Sequence, residues 1–370
     1  MKIADFKLER YFEKHEFNVK YILCASDCEP LAIGEVLTTE EMRTLQSLKL
    51  SYAEAQGTPD LRKEAATLFE ATSPEELVVC VPEEGIFITM NALLNLGEKV
   101  IVQTPCYQAL SEVPKAIGCE VVKWLPDPKS THAWRWDINF LKENVNEHTK
   151  MIIVNSPHNP TGHLFTKREY GEIIEIAKNN NCLMFSDEMY RTLEQESQDR
   201  LPSGTDLYEK CISLSGVSKT LGLGGLRIGW LAIKEKALRD KILRFKDYTT
   251  ISSNVPGQYI AKVALTKREN ILSRNRHIIR NNLGLLDSFF KRHPNTFVWI
   301  KPNAGSTAFV KINITQSVED FCEDVIRKKS VMLMPSTKFD YGCGHLRLGF
   351  GRKNLPEALG LFDEYLNDNP

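Results

Sequence analysis

Lys219 stands in the run Leu214-Ser215-Gly216-Val217-Ser218-Lys219-Thr220-Leu221-Gly222-Leu223-Gly224-Gly225-Leu226-Arg227-Ile228-Gly229-Trp230. A short apolar stretch precedes its ammonium, and a glycine-rich turn ending in an arginine follows. That is the setting in which a lysine amine forms a Schiff base beside a phosphate. Three segments upstream, around Tyr52, Asn159 and Asp187, add a phenol, an amide and a carboxylate. These are the groups needed to hold and polarise an aromatic carbonyl compound next to that amine.

The elements that must position them are short apolar runs alternating with amphipathic stretches. Val100 to Val102, Val121 to Trp124, Met151 to Val154, Cys182 to Phe185 and Cys211 to Leu214 read as strands, with helical patterns such as Lys167 to Asn180 between them. This βαβ alternation predicts an α/β fold with a mainly parallel sheet flanked by helices on both faces. Asn159 follows the third of these runs, Asp187 and Tyr190 the fourth, and Lys219 the fifth. Ligands of a parallel sheet bind beyond the strand C-terminal ends, so three strands aim polar groups at one place. Thr58-Pro59 signals a capped helix start, and Thr166 is placed to cap Lys167 to Asn180. After Trp230 the pattern turns to long helices through about Phe290, then to short strands near Phe297 to Ile300, Ala308 to Val310 and His345 to Leu348. The expected division is a large domain over 46–285 and a smaller α/β domain made of 1–45 plus 286–370.

Asn159-Pro160-Thr161-Gly162, Asp187-x-x-Tyr190 and Ser218-Lys219 followed eight residues later by Arg227 form a specific combination. On these motifs, and over roughly Tyr52 to Arg347, the chain resembles fold type I pyridoxal-phosphate enzymes of the class I/II aminotransferase family. The resemblance implies pyridoxal 5'-phosphate as cofactor, with Lys219 as its Schiff-base lysine and Asp187 keeping the pyridine nitrogen protonated. It assigns Asn159 and Tyr190 to the ring's phenolate oxygen, Tyr107 to the ring face, and Ser218 and Arg227 to the phosphate. Tyr52 would reach the phosphate of a neighbouring subunit, which implies a homodimer. Arg347, in His345-Leu346-Arg347-Leu348, would fork on the substrate α-carboxylate; Arg352 nearby is passed over for that role. Each residue also has a bland reading: Asp187 as a helix cap, Asn159 as a turn residue, Tyr107 and Tyr190 as packing aromatics, Arg227 and Arg347 as ion pairs.

The chain departs from the family in two places. Gly216 stands three residues before the lysine, where the family often has a hydroxyl, and the small-residue phosphate turn reads Val81-Pro82-Glu83-Glu84-Gly85-Ile86. Glu83 and Glu84 are expected to offer backbone N–H groups, with one carboxylate facing the substrate cleft or solvent. Ser26-Asp27-Cys28-Glu29 is expected on the substrate side, its acids selecting a cationic side chain.

Bulk properties exclude other classes. At 370 residues with a formal charge of -1 and no block of like charges, the chain is not built for a nucleic-acid groove or an anionic membrane. No apolar stretch approaches a bilayer span and the start lacks a signal-peptide core, so a cytoplasmic protein is expected. Nine cysteines form no C-x-x-C pair and read as reduced, mostly buried thiols, and Cys343-Gly344-His345 is a lone pair without matching metal ligands. A nucleotide-binding loop fails because Ser218 and Ser213 stand where its glycines belong. The expected function is therefore transamination between an L-amino acid and a 2-oxo acid. Two alternatives use the same scaffold: a lyase or cyclase similar to capreomycidine synthase, and a non-catalytic sensor of the cofactor or of an amino acid.

Overall fold

The structure, a computed structural model, describes residues 2–342 and 344–369. Its centre is a seven-stranded sheet of β1 (Leu77–Cys80), β2 (Lys99–Gln103), β3 (Glu120–Trp124), β4 (Thr149–Asn155), β5 (Leu183–Asp187), β6 (Cys211–Gly216) and β7 (Gly229–Ile233), in the order β1-β7-β6-β5-β4-β2-β3. Central strands β4 to β6 are buried almost throughout, which is why their sequences are continuous apolar runs rather than alternating ones. All neighbours pair in parallel except β7, which runs antiparallel to both β6 and β1.

That one reversal places the chemistry. Antiparallel neighbours need no crossover helix, so β6 and β7 are joined by the short segment 217–228, which stays at the β6 C-terminal end of the sheet. Lys219 and Arg227 are thereby held at the end where β4 and β5 deliver Asn159 and Asp187. Gly216 faces Gly229 across the β6–β7 pair, and a Cβ on Gly216 would lie 2.8 Å from the Gly229 Cα. One on Gly229 would lie 2.7 Å from Pro82 Cγ. The glycine that departs from the family is therefore where another strand and the start of a helix close in.

Helices pack on the sheet as the apolar periodicity requires. Thr166 accepts from the Glu169 N–H at 3.2 Å and caps the helix Lys167–Asn179, a contact worth about 1 kcal/mol. The expected cap at Thr58 is only half realised: Pro59–Ala66 is helical, but the Thr58 side chain bonds no helix N–H.

A second, four-stranded sheet is built from Phe297–Val298, Thr307–Ile312, Met334–Pro335 and His345–Gly349. The long helix Arg268–Arg292 leads into it, and the expected division at 285/286 falls within that continuous helix. The N-terminal segment joins this second unit, with Tyr21–Ile22 pairing in parallel with Val331–Met332. Residues 23–29 are then stitched between the two units: Gly349 N–H donates to Leu23 O at 2.8 Å, Cys28 N–H to Lys219 O at 3.0 Å, and Ser306 Oγ to Ser26 O at 2.7 Å.

A Cβ on Gly349 would sit 1.7 Å from the Ala25 carbonyl oxygen. Gly349→Ala should therefore destabilise the protein by roughly 1–3 kcal/mol, because backbone rather than a flexible side chain must move. A thermal melt superimposable on wild type would contradict this reading of the stitch.

Candidate active site

β4 ends in Asn155, whose side chain fixes the local geometry. Its Nδ2 donates to Asp187 O at 2.9 Å, and its Oδ1 accepts from the Asn159 N–H at 2.7 Å. One buried amide thus ties the ends of β4 and β5 together and sets the Asn159 turn. Nearby, His158 and His163 are buried against Trp136, and burial holds both imidazoles below the usual range. They are packing residues.

At the end of β5, Asp187 and Glu188 separate by strand alternation. Glu188 turns to Ser203 Oγ at 3.0 Å and the Gly204 N–H at 2.8 Å, away from the cleft. Asp187 turns into the cleft, where its Oδ1 accepts from the Met189 N–H at 3.1 Å. Burial pushes its carboxyl up to about 7, against the lowering effects of the Met189 N–H and the Lys219 charge.

A cleft of about 350 Å³ opens at these strand ends, lined by Lys219, Asp187, Tyr190, Asn159, Tyr107, Ser218, Arg227, Glu83, Arg347 and Ser26. Ten of the twelve residues expected at the site therefore meet in one place. Lys219 Nζ donates to Ser26 Oγ at 2.9 Å. Arg347, only 1 % exposed, donates from Nη2 to Cys24 O at 2.9 Å and from Nη1 to Asn159 Oδ1 at 3.3 Å. Tyr107 Oη donates to Glu9 Oε1 at 3.2 Å. Arg227 adopts a left-handed backbone, φ 55°, a conformation costly for a residue with a Cβ and tolerated mostly at sites that need it.

The two remaining residues lie apart. Tyr52 is 87 % exposed and does not line the cleft of its own chain. The Glu84 carboxylate accepts from Thr250 Oγ1 at 2.7 Å and the Thr250 N–H at 3.3 Å, so it is turned away while Glu83 faces inward. Of the pair, it is Glu83 whose side chain lines the cleft.

Some cleft residues had no motif to reveal them. Helix α1 (Lys7–His15) and the turn after it present Leu8, Glu9, Phe12 and Glu16, spaced for a single helical face. Arg352, passed over from the sequence, also lines the cleft and forks on Asp27 at 2.8 and 2.9 Å, leaving the Arg347 guanidinium for a ligand. Asp27 is consequently neutralised, and Glu29 accepts from the Lys353 N–H at 2.8 Å, so the expected acidic selector at 26–29 is already engaged. Among the described cysteines, eight are free and buried; Cys343 lies outside the described residues.

These residues suit pyridoxal phosphate on grounds of their own. Ser218 Oγ, Tyr190 Oη and Arg347 Nε are buried without a hydrogen-bond partner. Native proteins complete such groups with ordered water or a ligand, and these three residues line the cleft. The helix α2 (Pro82–Leu93) starts at the cleft wall, with Pro82 and Glu83 lining it, and a helix N-terminus favours a phosphate. Among the described residues Asp187 has no cation in ion-pair contact, and a protonated ring nitrogen would provide one.

Comparison with known proteins agrees. The aminotransferase class I and II family model matches residues 22–359. A crystal structure of a PLP-dependent aminotransferase from Streptococcus suis superposes with a TM-score of 0.93 at 31 % identity, covering 100 % of this chain and 99 % of that one. The capreomycidine synthase of Streptomyces vinaceus is 24 % identical over 97 % of this chain and 93 % of its own length. The aspartate aminotransferase of Sulfolobus acidocaldarius is 25 % identical over 89 % and 85 %. The chain belongs to the aminotransferase class I and II family and is a pyridoxal-phosphate-dependent aminotransferase. No described helix is long and apolar enough to cross a membrane.

Proposed function

We propose that this cleft transfers the amino group of an L-amino acid to a 2-oxo acid, with Lys219 as the proton carrier and Arg347 as the carboxylate clamp. The observation that carries the reading is the convergence of Lys219, buried Asp187 and buried Arg347, from three separate elements, on one cleft. When bound, the cofactor supplies an aldehyde that joins amines and a cationic ring that withdraws electrons from the carbon beside them. Lys219 Nζ would take the proton from the substrate Cα and deliver it to the cofactor's aldehyde carbon, on the other side of the amino nitrogen. Asp187 would keep the proton on the ring nitrogen, because a buried carboxylate is stabilised by a cation facing it. Tyr190 and Asn159 would bond the ring's phenolate oxygen, and Tyr107 would cover its face. Ser218, Arg227 and the backbone N–H groups of Glu83 and Glu84 would hold the phosphate.

Arg347 orients the substrate: its position is set by Cys24 O and Asn159, and its unpaired Nε remains for the carboxylate. Arg347→Lys should raise KM by about 10- to 100-fold with a smaller change in kcat, since an ammonium cannot fork. An unchanged KM would remove Arg347 from this role.

The working unit we propose is a homodimer. Leu50, Tyr52 and Tyr248 are 83 %, 87 % and 91 % exposed, an apolar set that a second subunit would cover, and Tyr52 would then reach the neighbouring phosphate. Light scattering of the purified protein decides this; a monomeric mass would end it. Eight buried free thiols favour a reducing, cytoplasmic compartment, which cell fractionation checks. We retain 46–285 and 1–45 plus 286–370 as the two structural units, to be tested by limited proteolysis.

The reaction itself is tested by following bound cofactor in the visible spectrum. An amino acid should convert it to the aminated form, and a 2-oxo acid should restore it. Product formed without the aminated form would instead favour elimination or cyclisation, which the same residues can support. Cofactor and amino-acid binding without any product would favour the sensor.

A further inference from the structure

We propose that the substrate of this cleft is an L-amino acid whose side chain ends in a cation, an amine or a guanidine, selected by Glu9, Glu16 and Glu83. This rests on the function proposed above. The charged residues lining the cleft are Glu9, Glu16, Asp27, Glu83, Asp187, Lys219, Arg227, Arg347 and Arg352. Most have a counterpart: Arg352 is forked on Asp27, while in the proposed function Asp187 would face the ring nitrogen, Arg227 the phosphate, Arg347 the substrate carboxylate and Lys219 the reacting carbon. What remains is three carboxylates and no cation.

None of the three forms an ion pair among the described residues; Glu9 accepts only the Tyr107 hydroxyl at 3.2 Å. Glu9 and Glu16 are two turns apart along one side of α1 and its continuation, with Phe12 between them, so they rim the cleft for about 10 Å. Glu83 stands at the start of α2 beside Tyr107. Burial pushes Glu83 up to about 7, against a hydrogen bond from Tyr107 and with the neighbouring Glu9, and burial with Asp27 and Glu9 raises Glu16 against the charges of Arg352 and Lys219. Carboxylates without an ion-pair partner in a partly buried site cost stability, and their arrangement becomes favourable when a ligand brings the opposite charge.

The acids do not stand alone as an argument. Tyr190 and Arg347, 3 % and 1 % exposed, line the same cleft and carry unpaired Oη and Nε atoms. These fix where the reacting end of a ligand lies. A long cationic side chain extending from that point meets the acidic rim, whereas an aspartate or glutamate side chain would be repelled by it.

The test uses the cofactor-loaded enzyme and isothermal titration with carboxylates that lack an α-amine and so cannot react. 5-Guanidinopentanoate should bind at least about 10-fold tighter than hexanoate, and adipate weaker than either. Glu9→Gln and Glu16→Gln should each weaken the guanidino ligand about 10-fold more than they change hexanoate; if a variant fails to fold, the wild-type ligand series decides alone. Hexanoate or adipate binding as tightly as the guanidino acid, with the cofactor band present and Lys219-dependent turnover intact, overturns this inference and leaves the aminotransferase reading standing. A protein showing no cofactor band overturns both.

Discussion

Lys219→Ala will lower kcat by at least about four orders of magnitude while the protein remains folded. General acid–base catalysis alone contributes typically 10²–10⁴-fold, and in the proposed function the same amine also forms the covalent link, so its removal would end two functions at once. Folding is spared because the Lys219 side chain makes one hydrogen bond, to Ser26 Oγ, while the backbone bond from Cys28 N–H to Lys219 O survives the substitution. The measurements are steady-state turnover and a thermal melt on the same preparation. Turnover within tenfold of wild type would refute the assignment, because no other described lysine lines the cleft.

Asp187→Asn is expected to cost about 10²–10³-fold in kcat, since an amide leaves the ring nitrogen without the charge that keeps it protonated. The same residue makes a stability prediction with a definite sign. Burial raises the Asp187 carboxyl from 3.8 to about 7. A raised carboxyl binds protons more tightly in the folded than in the unfolded chain, so its favourable contribution is full below the unfolded value and is lost as pH rises through about 7. Glu83, also raised to about 7, acts in the same direction. Protein stripped of cofactor should therefore lose stability, by up to a few kcal/mol, between about pH 4 and pH 8. Asp187→Asn should flatten that slope, and cofactor should restore more stability at pH 8 than at pH 6. Parallel melting curves for wild type and Asp187→Asn across this range would show that Asp187 is not the buried acid described.

Much of the site is legible in the order of residues along the chain. Asn159, Asp187 and Lys219 each follow an apolar run, and the end of a parallel strand faces the crevice whatever else the chain does. The strands lie nearly where the apolar runs place them, because β4, β5 and β6 are at the centre of the sheet, where continuous burial writes an unbroken apolar run into the sequence. Thr58 shows the limit of local signals: the helix starts where proline allows, but the Thr58 side chain bonds no helix N–H.

Which acids face the ligand is not legible in the same way. Asp187 and Glu188 are adjacent, as are Glu83 and Glu84, and in each pair one carboxylate enters the cleft while the other turns to Gly204 or Thr250. For Asp187 and Glu188 the alternation of a strand decides; for Glu83 and Glu84 it is the roughly 100° step of a helix against a fixed wall. Arg352 is surplus beside Arg347 until the fold brings it to Asp27, and Arg347 itself is aimed by Cys24. Sequence alone determined the proposed reactive groups and the strand ends that carry them, because both depend on neighbours a few residues away. The tertiary structure alone decided the charge left over in the cleft. That quantity depends on pairings such as Asp27 with Arg352 and Cys24 with Arg347, which only the folded chain brings into contact.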